Sequence, residues 1–414
     1  MTIKERLAPA GGWRSSWVFI TALFALASFV ETLGFGHLAA FTPLYLKQLG
    51  VASGDIPQWT GYLSAAAFII GLPLAPFWGI WADKYSRKVI IVRSAFLEGI
   101  IFVVAALSAN VWQLLIARIL SGFVLGNTGV MYAFVSSVAP KRNWSLAIAS
   151  IGLGNTLGMS IGPLLGGYLV NQWGIKPLLI IDSILSFLVA LLLIFVLVEK
   201  QPLVRATGST IRMLVALGRD VARMPVVLGL FGTYAIMLLG PQLSLPFVPI
   251  LVEDLYRGPD LPTAIGLITS GFAVTSAIFT PVWGRIGDRK GHRRTLAVAT
   301  FLLVPVLAAQ AFTSDLSQLL VLRAAQGAFQ AATPPLLLAM VALHTPEERR
   351  ASILNLSLFP NYLAWIAGSA MGASIATFNL QALFTTGAFI VVMGLGMLLT
   401  LTPKDDPTST DSSD

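Results

Sequence analysis

Five charged side chains inside long apolar stretches of this sequence are the first candidates for chemistry. Three are acidic, Glu31, Glu98 and Asp182, and two are basic, Arg118 and Arg323. A charge at the centre of a membrane-spanning helix costs about 2.5–3.5 kcal/mol on insertion scales, so each should face protein or water and have a partner.

Glu31 is the candidate for proton exchange because it lies near the middle of the first apolar stretch. Burial favours the protonated form of a carboxyl group, and a nearby cation favours the ionised form. The balance between them can make protonation depend on which side of a membrane the group faces. Two alternatives stay open: Glu31 pairs directly with a cationic ligand, or it forms a structural pair with an arginine or the backbone.

Arg118 is predicted to take part in proton coupling, because a guanidinium keeps its proton and stabilises a nearby carboxylate. Arg323 is interpreted as a structural hydrogen-bonding group. Glu98 and Asp182 are interpreted as polar partners within their own helix bundle.

Composition excludes several classes of protein. Hydrophobic residues make up 56% of the chain and charged residues only 11%, against roughly 25% charged residues in a soluble domain. There is no cysteine, the three histidines show no ligand spacing, and no lysine directly follows a glycine as in a phosphate-binding loop. We therefore expect a membrane protein that is not an enzyme, with no catalytic residues, no metal, no cofactor and no nucleic-acid partner.

Twelve stretches are long and apolar enough to cross a bilayer, which takes about 20 residues as a helix. Helices are expected because every backbone polar group in lipid must be bonded internally. The stretches are 17–46, 61–81, 90–108, 112–138, 145–170, 177–198, 226–250, 263–283, 295–312, 317–343, 353–377 and 382–402.

The distribution of basic residues predicts the orientation. When loops are assigned alternately to two sides, 22 of the 27 lysines and arginines fall on one side, and only Lys47, Lys176 and Arg257 fall on the other. The positive-inside rule then places both termini in the cytoplasm. We expect a multi-pass protein of the inner, plasma membrane of a prokaryote.

The two halves of the chain repeat each other at a fixed separation. Asp83 in GIWADKYSRK and Asp288 in GRIGDRKGHR lie 205 residues apart, and so do Arg118 and Arg323. The repeat predicts a six-helix bundle at 1–198, a cytoplasmic linker with a basic amphipathic helix at 199–224, and a second bundle at 225–402. A disordered cytoplasmic tail is expected at 403–414. Parallel halves of this kind place a substrate cavity at their interface.

With these motifs the chain resembles the major facilitator superfamily, in its twelve-span drug:H⁺ antiporter branch. The resemblance implies an all-α membrane protein of twelve transmembrane helices in two pseudo-symmetric six-helix bundles. It also implies that the repeated loop motif is a conformational latch, although Trp81 and Ser86 depart from the family pattern in the first copy. The latch residues are Gly79, Asp83, Arg87, Lys88, Gly284, Asp288, Arg289, Arg293 and Arg294.

A glycine-rich segment of the fifth span carries the antiporter signature of that family. Glycines spaced by four make a flat face for close helix contact, which is also the simpler interpretation of the pattern. The residues are Gly158, Gly162, Pro163, Gly166 and Gly167.

The resulting functional hypothesis is proton-coupled efflux of lipophilic, often cationic, small molecules by a monomer in the lipid bilayer. One alternative is an exporter or flippase of a single physiological solute such as a lipid, glycolipid or sugar; another is a membrane sensor that does not transport. The predicted cavity combines aromatic, methionine and amide side chains that suit variable lipophilic ligands. Its residues are Glu31, Phe35, Tyr132, Tyr234, Met237, Gln242, Gln326, Gln330 and Tyr362.

Overall fold

Helices occupy all twelve predicted stretches in a computed structural model, which describes residues 16–84, 86–199, 218–219 and 221–402. Most of the predicted linker helix and the whole tail lie outside the described residues. Nine segments of the described chain are long and apolar enough to cross a membrane. The helical membrane fold is therefore confirmed, while the domain boundaries stay predictions.

We number the spans 1 to 12 in chain order. Eight spans are single helices, and spans 4, 7, 10 and 11 each consist of two helices. The single helices are Trp17–Gln48, Ile56–Lys84, Arg87–Ala106, Trp144–Trp173, Ile175–Val196, Leu261–Lys290, His292–Ala309 and Ala382–Leu401. The paired helices are Val111–Ser121 with Asn127–Val138, Pro225–Ser244 with Val248–Leu255, Leu316–Gln330 with Thr333–Leu343, and Glu347–Leu356 with Leu358–Phe378.

The breaks in spans 4 and 10 fall at equivalent positions of the repeat. In span 4 the chain passes through Gly126 at a φ of 96°, a left-handed conformation that glycine adopts without steric cost. In span 10 the second helix begins at Thr333, next to Pro334 and Pro335, which lack the N–H group needed to continue the preceding helix. Different residues thus produce the same interruption in both halves.

Two pairs of spans make the most extensive contacts between the bundles, span 2 with span 11 and span 5 with span 8. Small residues let these helices approach closely. A Cβ atom added at Gly61 would lie 2.4 Å from the carbonyl oxygen of Ser369, and one added at Gly167 would lie 2.5 Å from that of Pro262.

The bundles meet at the end that holds the end of span 1 and the start of span 2, which we call the outer end after the predicted orientation. There Lys47 forms a salt bridge with Glu253 of the opposite bundle, and Asn171 donates a hydrogen bond of 2.6 Å to Asp260.

Buried apolar side chains from both bundles form one cluster near the outer end. Towards the other end the apolar clusters are confined to single bundles. The second helices of spans 4 and 10 pack extensively within their own bundles. The conformation is therefore closed at the outer end and separated at the inner end.

We predict that cross-linking the outer contact stops transport. The chain contains no cysteine, so a Lys47→Cys/Glu253→Cys variant can be treated with a short, reducible bifunctional thiol reagent. Treatment should block transport in proteoliposomes, and a reductant should restore it, because the outer end must open in every cycle. The single cysteine variants are the matched controls and should keep their activity. Normal transport by the cross-linked protein would contradict this account of the closed end.

Candidate substrate and proton site

Glu31 is half-buried in span 1 and is held by the break in span 4. The side-chain amide of Asn127 donates a hydrogen bond of 3.2 Å to its carboxylate. Asn127 is the first residue of the helix that starts after Gly126, and helix N-termini favour nearby negative charge. The unusual backbone of span 4 thereby places a polar partner beside the one carboxyl group of span 1.

Glu31 also acts across the interface between the bundles. Its carboxyl group lies close enough to Tyr362 of span 11 to affect the tyrosine electrostatically. The Tyr362 ring contacts Phe68 of span 2 with centroids 5.4 Å apart, and Phe68 contacts Trp365 at 4.9 Å. The electrostatic influence of this carboxyl group thus reaches Tyr362, whose ring belongs to an aromatic group contributed by both bundles.

Several other residues predicted for the cavity contact helices of their own bundle. The ring of Phe35 lies 6.2 Å from that of Phe102 in span 3. Met237 packs against Gly394 of span 12.

Gln326 is fully buried and belongs to a hydrogen-bonded group in the second bundle. Its amide oxygen accepts from Arg323 at 2.7 Å and from Gln310 at 3.0 Å. Its amide nitrogen donates to Gln330 at 3.0 Å. The guanidinium of Arg323 also lies 4.7 Å from the ring centroid of Phe272, so this arginine has polar and aromatic partners within its bundle.

Arg118, the equivalent residue of span 4, is also buried. Its Nε atom has no hydrogen-bond partner, and neither have Nε and Nη2 of Arg323. Among the described residues no carboxylate forms a salt bridge with it, and the partner of Glu31 is Asn127 instead. The role of Arg118 in coupling stays a prediction.

The glycine-rich segment holds span 1 in place. A Cβ atom at Gly154 would lie 2.1 Å from the Ala25 carbonyl oxygen, and one at Gly158 would lie 2.4 Å from that of Phe29. On span 5, between these two glycines, the backbone oxygen of Asn155 accepts a hydrogen bond of 2.9 Å from the Thr32 hydroxyl. Span 5 thus fixes the helix segment that carries Glu31.

Two basic residues of the repeated loop motif contact the last helix of their own bundle. Lys88 donates to the carbonyl oxygen of Ile194 at 2.8 Å, and Arg293, 205 residues later, donates to that of Leu399 at 2.6 Å. Both satisfy carbonyl groups at a helix C-terminus. The surroundings of Gly79 and the side chain of Asp83 are not among the described parts of the chain, and the latch function stays a prediction.

One feature of the first bundle does not follow from the sequence analysis. Nδ1 of His37 lies 2.9 Å from each carboxylate oxygen of Asp182, and Nε2 lies 2.9 Å from the carbonyl oxygen of Gly162. The feature of the sequence that could have pointed to this pair is the position of His37 inside an apolar helix, where any ionisable side chain is costly. As possible metal ligands, the three histidines give no such indication.

Comparison with known families identifies the chain. The model of the major facilitator superfamily matches residues 19–262 and 230–414. The chain belongs to the major facilitator superfamily. The family membership agrees with the two bundles described above, and the chain is a transporter of this family.

Similar proteins fall into two groups. Multidrug resistance protein MdtG of Salmonella arizonae is 28% identical over 371 residues, which cover 89% of this chain and 91% of that protein. MdtG of Salmonella typhi has the same identity and coverage.

Solved structures of other superfamily members share the fold. A point mutant of the nucleoside transporter NupG superposes with a TM-score of 0.78 at 14% identity, covering 93% of this chain and all of that chain. A bacterial homologue of the human lysosomal transporter Spinster, in an inward-facing and occupied conformation, gives 0.72 at 15% identity, covering 92% and 94%.

We predict that Gly158→Ala destabilises this protein, whereas Gly152→Ala does not. A methyl group at Gly158 meets the backbone of span 1, whereas one at Gly152 has its nearest neighbour, the Tyr132 hydroxyl, at 3.7 Å. Overpacking typically costs about 1–3 kcal/mol, so the melting temperature of purified Gly158→Ala should fall and its transport should weaken. Equal behaviour of the two variants would show that close contact between spans 1 and 5 is unimportant.

Proposed function

We propose that this chain is a multidrug antiporter that exports lipophilic, often cationic, small molecules in exchange for protons. The observation that carries the proposal is the hydrogen bond between Glu31 of span 1 and Asn127, with Tyr362 of the opposite bundle within electrostatic range of the carboxyl group. The similarity to proteins named for multidrug resistance supports the substrate class.

Glu31 has two competing ligands in this mechanism, a proton and a cation. An ionised carboxyl group in an apolar interior is costly unless a charge compensates it. Protonation removes the charge when the bundles open outwards, and a bound cation neutralises it when they open inwards. The cation and the proton exclude each other at Glu31, and this exclusion couples the two fluxes.

The aromatic group at the interface suits the same class of substrate. Phe68 packs against both Tyr362 and Trp365, and Tyr362 lies within electrostatic range of Glu31. Aromatic faces attract organic cations, and the attraction grows when the cation is desolvated. The carboxyl group then supplies charge recognition, while the rings accept lipophilic groups of varied shape.

The proton gradient supplies the energy in this proposal, with no cofactor. Exchange of one proton for one monovalent cation moves no net charge across the membrane, so the pH difference is the driving force, worth about 1.4 kcal/mol for each tenfold ratio of proton concentrations. Arg118 contributes by favouring the ionised form of Glu31 in a conformation in which the two approach. The protein acts as a monomer in the inner membrane with both termini in the cytoplasm, and the repeated loop motif stabilises the outward-facing state.

The decisive variant is Glu31→Gln, which keeps the size of the side chain and removes its titration. In proteoliposomes with an imposed pH gradient, transport of tetraphenylphosphonium should fall by about 100-fold or more, as is typical when a proton-transferring group is lost.

Glu31→Asp is the matched control and should retain measurable coupled transport. Asn127→Ala should weaken coupling less than Glu31→Gln, because the carboxyl group remains. Proton-driven transport by Glu31→Gln at the wild-type rate would refute the proposed role of Glu31.

A further inference from the structure

The first bundle contains titratable groups that the mechanism above does not use. His37 and Asp182 are buried, each about 2% exposed, and they contact each other between spans 1 and 6. Glu98 of span 3 is similarly buried, at 3%. Burying such groups costs free energy, so their presence in one bundle calls for a physical explanation.

The hydrogen bonds of His37 show that its contact with Asp182 holds a proton. The carbonyl oxygen of Gly162 can only accept, so Nε2 of His37 must carry a hydrogen. The contact between Nδ1 and the carboxyl group then needs one more hydrogen. It is held either by an imidazolium facing a carboxylate or by a carboxylic acid facing a neutral imidazole. The proton can pass between the two groups without a third partner.

Glu98 connects this pair with Glu31. The carboxyl groups of both Asp182 and Glu31 act electrostatically on that of Glu98. The hydroxyl of Ser183 donates a hydrogen bond of 2.9 Å to the Gly99 carbonyl oxygen, so spans 3 and 6 touch where Glu98 and Asp182 lie.

Spans 1 and 3 touch next to Glu98 and Glu31 as well. A Cβ atom at Gly34 would lie 2.4 Å from the ring of Phe102. Gly34 and Phe102 each lie about one helical turn beyond Glu31 and Glu98, respectively, so the two glutamates come from neighbouring turns of adjacent helices. Oε1 of Glu98 has no hydrogen-bond partner, which leaves this oxygen able to accept a proton.

The His37–Asp182 pair lies on the outer side of these glutamates. A small cavity of about 10 Å³ adjoins His37, Thr42, Tyr45 and Leu179 near the outer ends of spans 1 and 6. This volume is at the lower limit for one water molecule.

The other groups around the pair do not supply a competing proton acceptor of similar strength. From span 1, Tyr45 donates its hydroxyl hydrogen to the Ala105 carbonyl oxygen at 2.6 Å. From span 5 the pair faces the Gly162 carbonyl, and Glu98 of span 3 lies within electrostatic range of Asp182. Arg118 of span 4, the remaining buried charge in the described part of this bundle, is a fixed cation.

We propose that His37, Asp182 and Glu98 form the route along which protons from the outer side reach Glu31. The inference rests on the proposed proton coupling and assigns it a pathway. A proton enters on the pair, passes to Glu98 and then to Glu31, from which the arriving cation displaces it to the inner side. Each transfer breaks one N–H or O–H bond and forms another, so no further reactant is consumed.

The test compares two assays in proteoliposomes with tetraphenylphosphonium as the probe. One measures uptake driven by a pH gradient, and the other measures exchange of labelled for unlabelled probe at equal pH on both sides. In His37→Gln and Asp182→Asn, gradient-driven uptake should fall by about tenfold or more. Exchange should stay near the wild-type rate, because it needs no net proton delivery.

Ser183→Ala is the matched control, since it removes a neighbouring buried hydrogen bond but no titratable group; both of its rates should resemble those of the wild type. Asp182→Glu should recover part of the gradient-driven uptake. Glu98→Gln should behave like Asp182→Asn, and it provides the same test if His37→Gln fails to fold.

Three results would overturn the route. Normal gradient-driven uptake in both pair variants would do so, and so would a parallel fall of uptake and exchange, which marks a structural role. If the wild type exchanges the probe but does not respond to a pH gradient, proton coupling itself fails and the route fails with it. The wild-type control thereby separates failure of the function from failure of the pathway alone.

Discussion

The account depends on the cost of an ionised carboxyl group in an apolar protein interior. Glu31 lies at the interface of the two bundles with one hydrogen-bond donor, Asn127, and without a salt bridge among the described residues. A carboxylate so weakly compensated gains strongly from either a proton or an organic cation. Competition between those two ligands at one site is the simplest physical basis for exchanging them across a membrane.

The rest of the fold places that group and limits its access to solvent. Glycines of span 5 bring span 1 close enough for backbone contact, and Gly126 interrupts span 4 so that Asn127 reaches the carboxyl group. Closely packed spans 2 and 11 and spans 5 and 8 close the outer end. Opening of the outer end must therefore separate the apolar cluster that both bundles share there, together with a few polar pairs.

Much of the fold follows from the sequence because lipid restricts the chain so strongly. The apolar stretches predict helices, the separation of 205 residues predicts two similar halves, and the spacing of Gly158, Gly162 and Gly166 predicts a flat helix face. Each of these features depends on residues close together in the chain or on a repeat, which a single sequence displays directly.

The partners of the ionisable residues could not be predicted in the same way. Asn127 lies 96 residues from Glu31, and Asp182 lies 145 residues from His37. Spacing within a helix shows which side chains share a face, but it contains no information on which helix lies opposite. The sequence therefore identifies Glu31 as costly to bury, while its pairing with Asn127 instead of Arg118 depends on how the helices pack.

The measurement that tests the central claim most directly is proton release on ligand binding. Purified protein in weakly buffered detergent solution is mixed with tetraphenylphosphonium, and a pH-sensitive dye reports the hydrogen ions set free. Competition at Glu31 predicts release of up to about one proton per bound cation at a pH where the carboxyl group is protonated, by reciprocal linkage of the two ligands. It also predicts no release from Glu31→Gln. Cation binding to the wild-type protein without any proton release across the accessible pH range would contradict the account.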